Sequence, residues 1–367
     1  MRRDATGVRF VYACSRALTK LPSLVPLARR NRGATLVVVE AGEAGWAEPA
    51  PGLIEIEESA VEYLGENSVR RFSVRRHSKS YLLDVFRVLK RHRPSHYFYD
   101  SRTGSQNPFW GSVQAVAIAV YLAFFDVVPI TILTNFPARR WRRQVSGVTA
   151  RRGLVLLLIP PSAARGKLPH DRLLGPIFMP FSKKRMAEIR GVPKPVTALG
   201  NANLTFIGSV YEPRKSVIED VKHEFDKNGL NFLVYARDAA SPKIDRETYW
   251  DVLRQSPFLF TTADHIVKAG ADVGCPPHMV YRYTEALIAE SCLVAPDLGS
   301  ALVAFEHFIP FTDAETLRET MAEFLEQPEK AESIRRRGAE FIQSRVDNQR
   351  WWREIDEALG EDRLRKW

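Results

Sequence analysis

The sequence predicts an α/β protein built from two doubly wound layers. Short apolar runs alternate with amphipathic helical segments in both halves of the 367-residue chain, a pattern typical of parallel sheets covered by helices. A Pro- and Gly-rich stretch, "GPIFMPFS" and then "GVPKPVTALGN", separates the halves. A chain of this length is also expected to form about two domains. Two such layers that face each other leave a cleft at the carboxyl ends of their strands, a usual place for a ligand.

In the first half the alternation is regular, and several strands are apolar throughout, as expected when helices cover both faces of a sheet. The predicted strands are 8–15, 34–42, 95–101, 129–137 and 153–161, and the predicted helices are 18–33, 78–94, a buried helix from 113 to 125, and a basic helix around Trp141. The segment 113–133 resembles a membrane span at first sight. Its unbroken apolar core, 115–125, is shorter than the ~20 residues that a span needs, so it predicts a buried helix, a turn and a strand.

In the second half the same alternation resumes. The predicted strands are 204–212, 230–238, 258–265, 292–297 and 308–313, and the predicted helices are 214–229, 245–257, 281–290, 314–327 and a last helical region from 329 to 359. The domain boundary is placed near Pro195. The predicted domains are therefore 1–195, 196–345 and a C-terminal helix, 346–367.

Composition excludes several classes of protein. Hydrophobic residues make up 45% and charged residues 26%, which is a globular composition and not that of a disordered chain or a coiled coil. The three cysteines have no metal-ligand spacing and are odd in number, so a disulfide framework is not expected. The apolar run after Arg2 and Arg3 is too short for a signal peptide. These observations predict a protein of the reducing cytoplasm.

The net charge of +10 comes from local clusters of the first half. The clusters are Arg70, Arg71, Arg75, Arg76, His77 and Lys79; then Lys90, Arg91, His92 and Arg93; and then Arg139, Arg140, Arg142, Arg143, Arg151 and Arg152. Such patches attract phosphates, nucleic acid or an anionic membrane. The alternative interpretation is a solvated face without a ligand.

Four stretches of the second half, in this order, resemble the donor-binding domain of GT-B glycosyltransferases, the group that includes the bacterial family 1 and family 4 type enzymes. They are "FIGSVYEPRKSVIEDV", "YWDVLRQSPFLF", "YRYTEALIAESCLVAPD" and "FIPFTDAETLRETMAEFLEQPEKAESIRRRGAEFI". Each is weak alone, and together they span about 204–345. The resemblance implies two Rossmann-like domains that face each other across a cleft, the GT-B fold.

The resemblance gives the Glu of "Glu-Ala-Leu" a role, because in GT-B enzymes this residue hydrogen-bonds the ribose of the nucleotide. Here it is Glu285, and a carboxylate suits a vicinal diol because it accepts from two donors. The alternative for Glu285 is a favourable position in the first helical turn. The sequence departs from the family 4 pattern at Pro277, where many members carry a second Glu.

Other candidates for the nucleotide site surround this motif, each with a structural alternative. Gly208 would let the backbone approach a diphosphate, or it forms a plain turn. Arg214 and Arg282 could pair with phosphates, or they lie at a solvated helix start and in a salt bridge, respectively. Tyr283 is a ligand contact or a core residue, and His265, which ends a predicted strand, is a site residue or a structural histidine.

For the first half, Asp100 is the candidate catalytic base toward an acceptor hydroxyl, because it opens the polar loop "YDSRTGSQNPFW" after a strand. Its alternative is an N-cap or turn residue. Trp351 and Trp352 fall on different sides of the last helix. They would both pack if that helix crosses back onto the first domain, as it does in GT-B proteins, or they cap the second domain.

The expected function is a glycosyltransferase that moves a sugar from a nucleotide-sugar to a glycan, lipid-linked or small acceptor. The chain lacks an Asp-x-Asp motif, a Gly-x-Gly-x-x-Gly after a strand, a Gly-x-Ser-x-Gly and a Walker A motif. We therefore expect no metal and no cofactor beyond the nucleotide-sugar co-substrate, with arginine and helix termini stabilising the leaving group.

Peripheral membrane contact through the basic first domain is expected, and a nucleic-acid partner is not. The alternatives are a nucleotide-sugar 2-epimerase and a non-catalytic basic module that binds nucleic acid or membrane.

Overall fold

The structure is a computed structural model, and it describes the residues listed at the end of this sentence: 36–42, 53–75, 80–100, 108–133, 153–158, 161, 172–190, 203–210, 212, 214–237, 246–262, 281–298 and 301–360. The chain divides into two compact units. The first unit is Met1–Ser182 with Asp347–Trp367, and the second is Lys183–Val346. The sequence boundary near Pro195 thus lies C-terminal to the division seen in the structure.

Among the described residues, the first unit contains a parallel sheet of six strands in the order β2-β1-β3-β4-β5-β6. The strands are β1 (Leu36–Gly42), β2 (Val69–Arg75), β3 (His96–Asp100), β4 (Val128–Leu133), β5 (Leu154–Leu157) and β6 (Leu173–Leu174). The chain goes from β1 outward to β2 and then returns to β3 on the other side of β1. This reversal is the kind of switch point at which open α/β sheets bind ligands.

Four described helices belong to this unit: α1 (Leu53–Leu64), α2 (Tyr81–His92), α3 (Pro108–Phe124) and, at the end of the chain, α10 (Asn348–Leu359). Helix α10 is anchored by both tryptophans. The indole of Trp352 donates to Ser59 Oγ at 2.7 Å, and that of Trp351 donates to the Phe178 carbonyl at 2.7 Å. Both side chains are almost fully buried, which a single packing face would not achieve for adjacent helical residues.

The described part of the second unit contains a parallel sheet of five strands in the order β11-β10-β9-β7-β8. The strands are β7 (Asn203–Ser209), β8 (Asn231–Arg237), β9 (Phe258–Phe260), β10 (Cys292–Ala295) and β11 (Ile309–Pro310). The helices are α4 (Lys183–Arg190), α5 (Arg214–Lys227), α6 (Arg246–Gln255), α7 (Tyr281–Ile288), α8 (Ala314–Glu326) and α9 (Pro328–Val346). One apolar core joins the sheet to α5 and α8, with Phe225, Phe258 and Phe324 among its members.

Most of the predicted elements are confirmed, with three corrections. The predicted last helix from 329 to 359 is two helices, because Asp347 caps α10 by accepting from the Arg350 amide at 2.8 Å. The basic run from Arg70 to Arg75 is not only a charged surface, since it forms β2 at the edge of the sheet. Helix α3 is not fully buried, because Val120 and Phe124 are 40% and 48% exposed.

Three predicted elements lie outside the described residues: strand 8–15, helix 18–33 and the helix around Trp141. Among the described helices, none combines the length and the apolar character needed to cross a membrane.

Candidate functional site

The candidate site lies at the carboxyl edge of the second sheet. Strand β7 pairs with β8 on one side and with β9 on the other, so the chain reverses its direction of winding at β7. Parallel α/β sheets bind ligands at this kind of switch point, beyond the carboxyl ends of the strands. Residues that follow β7, β9 and β10, and the first turns of α5 and α7, meet there.

Glu285 is a buried charged residue of this site. It is the fifth residue of α7 and only 3% exposed. The Tyr249 hydroxyl of α6 donates to Glu285 Oε2, and Arg282 Nε lies 3.0 Å from the same oxygen. Burial of a carboxylate is costly unless it is paired and hydrogen-bonded, and these two contacts supply both conditions.

Arg282 connects α7 to β7. One of its terminal nitrogens, Nη1, donates to the carbonyl oxygen of Ile207. Its guanidinium lies 4.9 Å from the centroid of the Tyr249 ring, within the range of a cation–π interaction. The predicted alternative, a salt bridge to a neighbour, is therefore present with Glu285, one turn along the helix.

Gly208 is the second-to-last residue of β7 and has φ 153°. An added Cβ would lie 3.5 Å from the Phe206 ring and 3.7 Å from Arg282 Nη2, which are ordinary contacts. The backbone angle, rather than lack of space, is therefore what favours glycine. The same position puts the main chain of β7 directly beside the Arg282 guanidinium.

Arg214 is the first residue of α5 and points toward the end of β9. Its Nε donates to Thr262 Oγ1 at 2.8 Å, and its Nη2 lies 3.4 Å from the Thr262 carbonyl oxygen. Thr262 is almost fully buried. The guanidinium is thus held beside Thr262 at the switch point, and its pairing with a phosphate stays a prediction.

Tyr283 lies in a different environment from its neighbours in sequence. It is 1% exposed, and its hydroxyl donates to the Pro296 carbonyl at 3.0 Å, just beyond β10. Burial, and then the charge of Asp297, raise the pKa of the Tyr283 hydroxyl. This placement fits the core-packing alternative, and a contact between Tyr283 and a nucleotide stays a prediction.

Of two further predicted site residues, the structure describes Asp100 through its backbone and does not describe His265. Asp100 is the last residue of β3, in register with Ile132 of β4, so its backbone lies at the carboxyl edge of the first sheet. His265 lies outside the described residues, as does the loop "KAGADVGCPPHMV" that precedes α7. Their predicted roles stay predictions.

Sequence reasoning missed Tyr249 and Thr262. Thr262 lies inside the predicted strand 258–265, whereas β9 ends at Phe260, so the sequence does not mark Thr262 as a residue beyond the end of the strand. Tyr249 lies inside α6 and reaches the site only because α6 packs near α7, so no local pattern signals it. Among the residues that the structure describes, no group of three or more His, Cys, Asp and Glu side chains could hold a metal ion.

Residues 195–357 match the model of a family described as "Glycosyl transferase-like". This segment is therefore similar to that family. The matched glycosyl transferase-like segment contains every residue of the site at the carboxyl edge of the second sheet. A comparison with curated proteins found no match.

Solved structures with the same fold include HepE (Alr3699) from Anabaena in complex with UDP-glucose, at 12% identity and a TM-score of 0.58 over 89% of this chain and 99% of that one. An α-glucosyltransferase in complex with UDP and a 13-mer DNA shares the fold at 10% identity and a TM-score of 0.52, over 89% of this chain and 99% of that one. A putative UDP-N-acetylglucosamine 2-epimerase from Listeria monocytogenes shares it at 11% identity and a TM-score of 0.52, over 90% of this chain and 97% of that one. The chain therefore has the GT-B fold of two Rossmann-like domains.

Proposed function

We propose that the protein is a glycosyltransferase that moves a sugar from a nucleotide-sugar donor to an acceptor hydroxyl. The observation that carries the proposal is the buried Glu285, paired with Arg282 and placed at the switch point of the second sheet. The family match over 195–357 supports this function. So does the fold shared with HepE, which was solved with UDP-glucose.

Glu285 is proposed to accept hydrogen bonds from the ribose hydroxyls of the donor. An ionised carboxylate offers about four acceptor positions, so Tyr249 and Arg282 do not exhaust its capacity. Those two contacts fix the carboxylate in one orientation before the nucleotide arrives, which reduces the ordering cost of binding. Tyr249 is then a positioning residue for Glu285.

The diphosphate is proposed to lie against the ends of β7 and of the two helices. Gly208 leaves the main chain of β7 without a side chain at this position, and the N-termini of α5 and α7 provide backbone amides and a positive dipole end. Arg214 begins α5 and adds a fixed guanidinium. These groups would stabilise the charge that develops on the leaving diphosphate, and we propose that the reaction needs no metal.

In the proposed reaction the acceptor oxygen forms a bond to the anomeric carbon while the bond from that carbon to the diphosphate oxygen breaks. The electron pair of the broken bond stays on the nucleoside diphosphate. The acceptor hydroxyl gives its proton to a base, for which Asp100 is the predicted residue. The acceptor is proposed to be a glycan, a lipid-linked sugar or a small molecule, and the proposed location is the cytoplasm, including the inner membrane surface.

Calorimetric titration with UDP, GDP and ADP, followed by product analysis with the matching nucleotide-sugars, tests the proposal. We expect one nucleotide to bind and its Kd to rise about 10- to 100-fold in Glu285→Gln, the range for loss of hydrogen bonds to a charged group. The matched control is Glu290→Gln, because Glu290 is also paired with an arginine, Arg335, at 3.2 Å but follows the other end of α7. If no nucleotide binds, or if the control weakens binding as much as Glu285→Gln does, the assignment is wrong.

The two alternatives give different results in the same experiment. A 2-epimerase would convert the nucleotide-sugar without an acceptor. This alternative is kept because the putative 2-epimerase from Listeria has a similar fold. A non-catalytic basic module would bind with steep salt dependence and transfer no sugar.

A further inference from the structure

The outer face of α3 carries an exposed apolar stripe. Val113, Val120 and Phe124 are 37%, 40% and 48% exposed, and their spacing of seven and four residues puts them on one side of a helix. No charged residue occurs in the 17 residues of α3. Helices that are apolar on all sides are normally buried on all sides. This stripe, in contrast, faces solvent.

Helix α2 lies beside the C-terminal half of α3. The Phe86 ring is 5.2 Å from the Tyr121 ring and 5.4 Å from the Phe125 ring, measured between centroids. The exposed face of α2, next to this seam, combines one apolar side chain with cations: Leu83, which is 49% exposed, Arg87 and Lys90. Their spacing of four and three residues again defines one face.

The exposed surface of α2 is strongly cationic. Arg87, Lys90, Arg91 and Arg93 are exposed, whereas Asp84 is the single carboxylate of the helix. Asp84 lies 3.4 Å from Arg87. In the part of the chain that the structure describes, no carboxylate pairs with Lys90, Arg91 or Arg93.

The positive field extends from α2 onto the edge strand β2. Arg70 and Arg91 both act on His92, whose pKa is lowered by partial burial first and by these two charges second. Arg70 is exposed. We call the exposed residues of the two helices the α2–α3 surface; they are Leu83, Arg87, Lys90, Arg91, Arg93, Val113, Val120 and Phe124.

We propose that the α2–α3 surface docks the protein on an anionic lipid bilayer. The apolar stripe of α3 enters the boundary between headgroups and acyl chains, and the cations of α2 lie over the anionic headgroups. An apolar stripe bordered by cations is the composition that such interfacial helices share. The binding is peripheral, through the face of a folded unit.

The positive charge of the α2–α3 surface favours an anionic bilayer over a second copy of the chain as its binding partner. In symmetric self-association through this surface both copies would present the same cations, and like charges across an interface oppose association. An anionic bilayer satisfies the apolar stripe and the cations together.

Sedimentation of the full-length protein with vesicles tests the proposal. The two vesicle types are pure phosphatidylcholine and a mixture with phosphatidylglycerol, each at low and at physiological salt. We expect binding to the anionic vesicles that weakens as salt rises. The double variant Val120→Ser with Phe124→Ser should lose about tenfold or more in partitioning. Arg87→Gln with Lys90→Gln should lose on the order of fivefold per cation.

The matched control is Val303→Ser with Phe305→Ser, since these side chains of the second unit are 50% and 55% exposed. It should bind vesicles like the wild type. Thermal melts of all variants should match the wild type, because exposed substitutions rarely change stability by more than ~0.5 kcal/mol. The proposal is overturned if anionic vesicles do not bind the protein, or if the control loses as much binding. It is also overturned if light scattering shows a dimer that the Val120 and Phe124 variant dissociates.

Discussion

Helices α3 and α7 depart from the amphipathic rule in opposite directions. The eight-residue α7 buries Tyr283 and Glu285, at 1% and 3% exposure. The 17-residue α3 exposes Val120 and Phe124. A buried polar side chain and an exposed apolar stripe are the two departures that carry information, because scattered exposed apolar residues are normal.

The difference indicates how each helix is used. In α7 the polar groups are held by partners inside the second unit, so their arrangement is fixed and suits recognition of a small ligand. In α3 the apolar groups have solvent as their neighbour, so they suit a surface that the protein meets from outside. The comparison predicts that substitutions on α7 change stability and nucleotide affinity together, whereas outer substitutions on α3 change neither.

The largest expected effect separates the two faces of α3. Leu122 is fully buried, so Leu122→Ala should lower the free energy of unfolding by about 2–5 kcal/mol. Val120→Ala, two residues away on the outer face, should change it by no more than ~0.5 kcal/mol. Urea unfolding followed by circular dichroism measures both, and equal losses would show that the outer face is covered in solution.

The next effect compares two ion-paired glutamates, Glu285 within α7 and Glu290 just after its C-terminal end. Glu285→Gln leaves Arg282 without its charge partner, and we expect a loss of about 2–3 kcal/mol, below the ~3–5 of fully buried pairs because Arg282 is 20% exposed. Glu290→Gln should cost less, about 1 kcal/mol, because its carboxylate is 25% exposed. The same unfolding curves give both values, and the reverse order would contradict the burial of Glu285.

Tyr283→Phe removes the hydroxyl that donates to Pro296, at a cost of about 1 kcal/mol near neutral pH. Because burial raises the pKa of Tyr283 in the folded state, the folded protein keeps this proton where an unfolded tyrosine, with a pKa of about 10, loses it. The wild type should therefore lose stability relative to the variant as pH rises through about 10. Melts at several pH values should show the difference shrinking, and a constant difference would contradict the raised pKa.

The smallest effect is expected for Phe124→Ser. The side chain is 48% exposed, so the free energy of unfolding should change by no more than ~0.5 kcal/mol. Calorimetric melting of the variant beside Leu122→Ala checks this. A loss above about 2 kcal/mol would mean that Phe124 packs against the protein and that α3 has no free stripe.

Much of the fold could be predicted from the sequence, because parallel strands covered on both faces are apolar runs, as in "LVVV" of β1 and "CLVA" of β10. Strand β2 was harder to predict, since an edge strand carries charges and "VRRFSVR" has the composition of a solvated surface. The break before α10 is marked only by Asp347, a cap inside a continuous helical pattern.

For the candidate site, the motif around Glu285 could be predicted from the sequence, but the contacts that come from other elements could not. Arg282 is three residues earlier on the same helix, so its ion pair with Glu285 follows from helical spacing. Tyr249 and Thr262 come from other elements and reach the site through tertiary packing alone. The exposed stripe of α3 was missed for the same reason, because periodicity cannot show which side of an apolar helix has no partner.

The most direct test is a calorimetric cycle that combines Glu285→Gln with removal of a ribose hydroxyl. Whichever of UDP, GDP and ADP binds is compared with its 2′-deoxy and 3′-deoxy forms, on the wild type and on the variant. If Glu285 holds the ribose, one deoxy form should lose about 10-fold or more on the wild type, and almost nothing further on the variant, whose affinity for the parent nucleotide is already reduced. Equal losses on both proteins, or full affinity of the variant for the parent nucleotide, would contradict the assignment of Glu285 to the ribose.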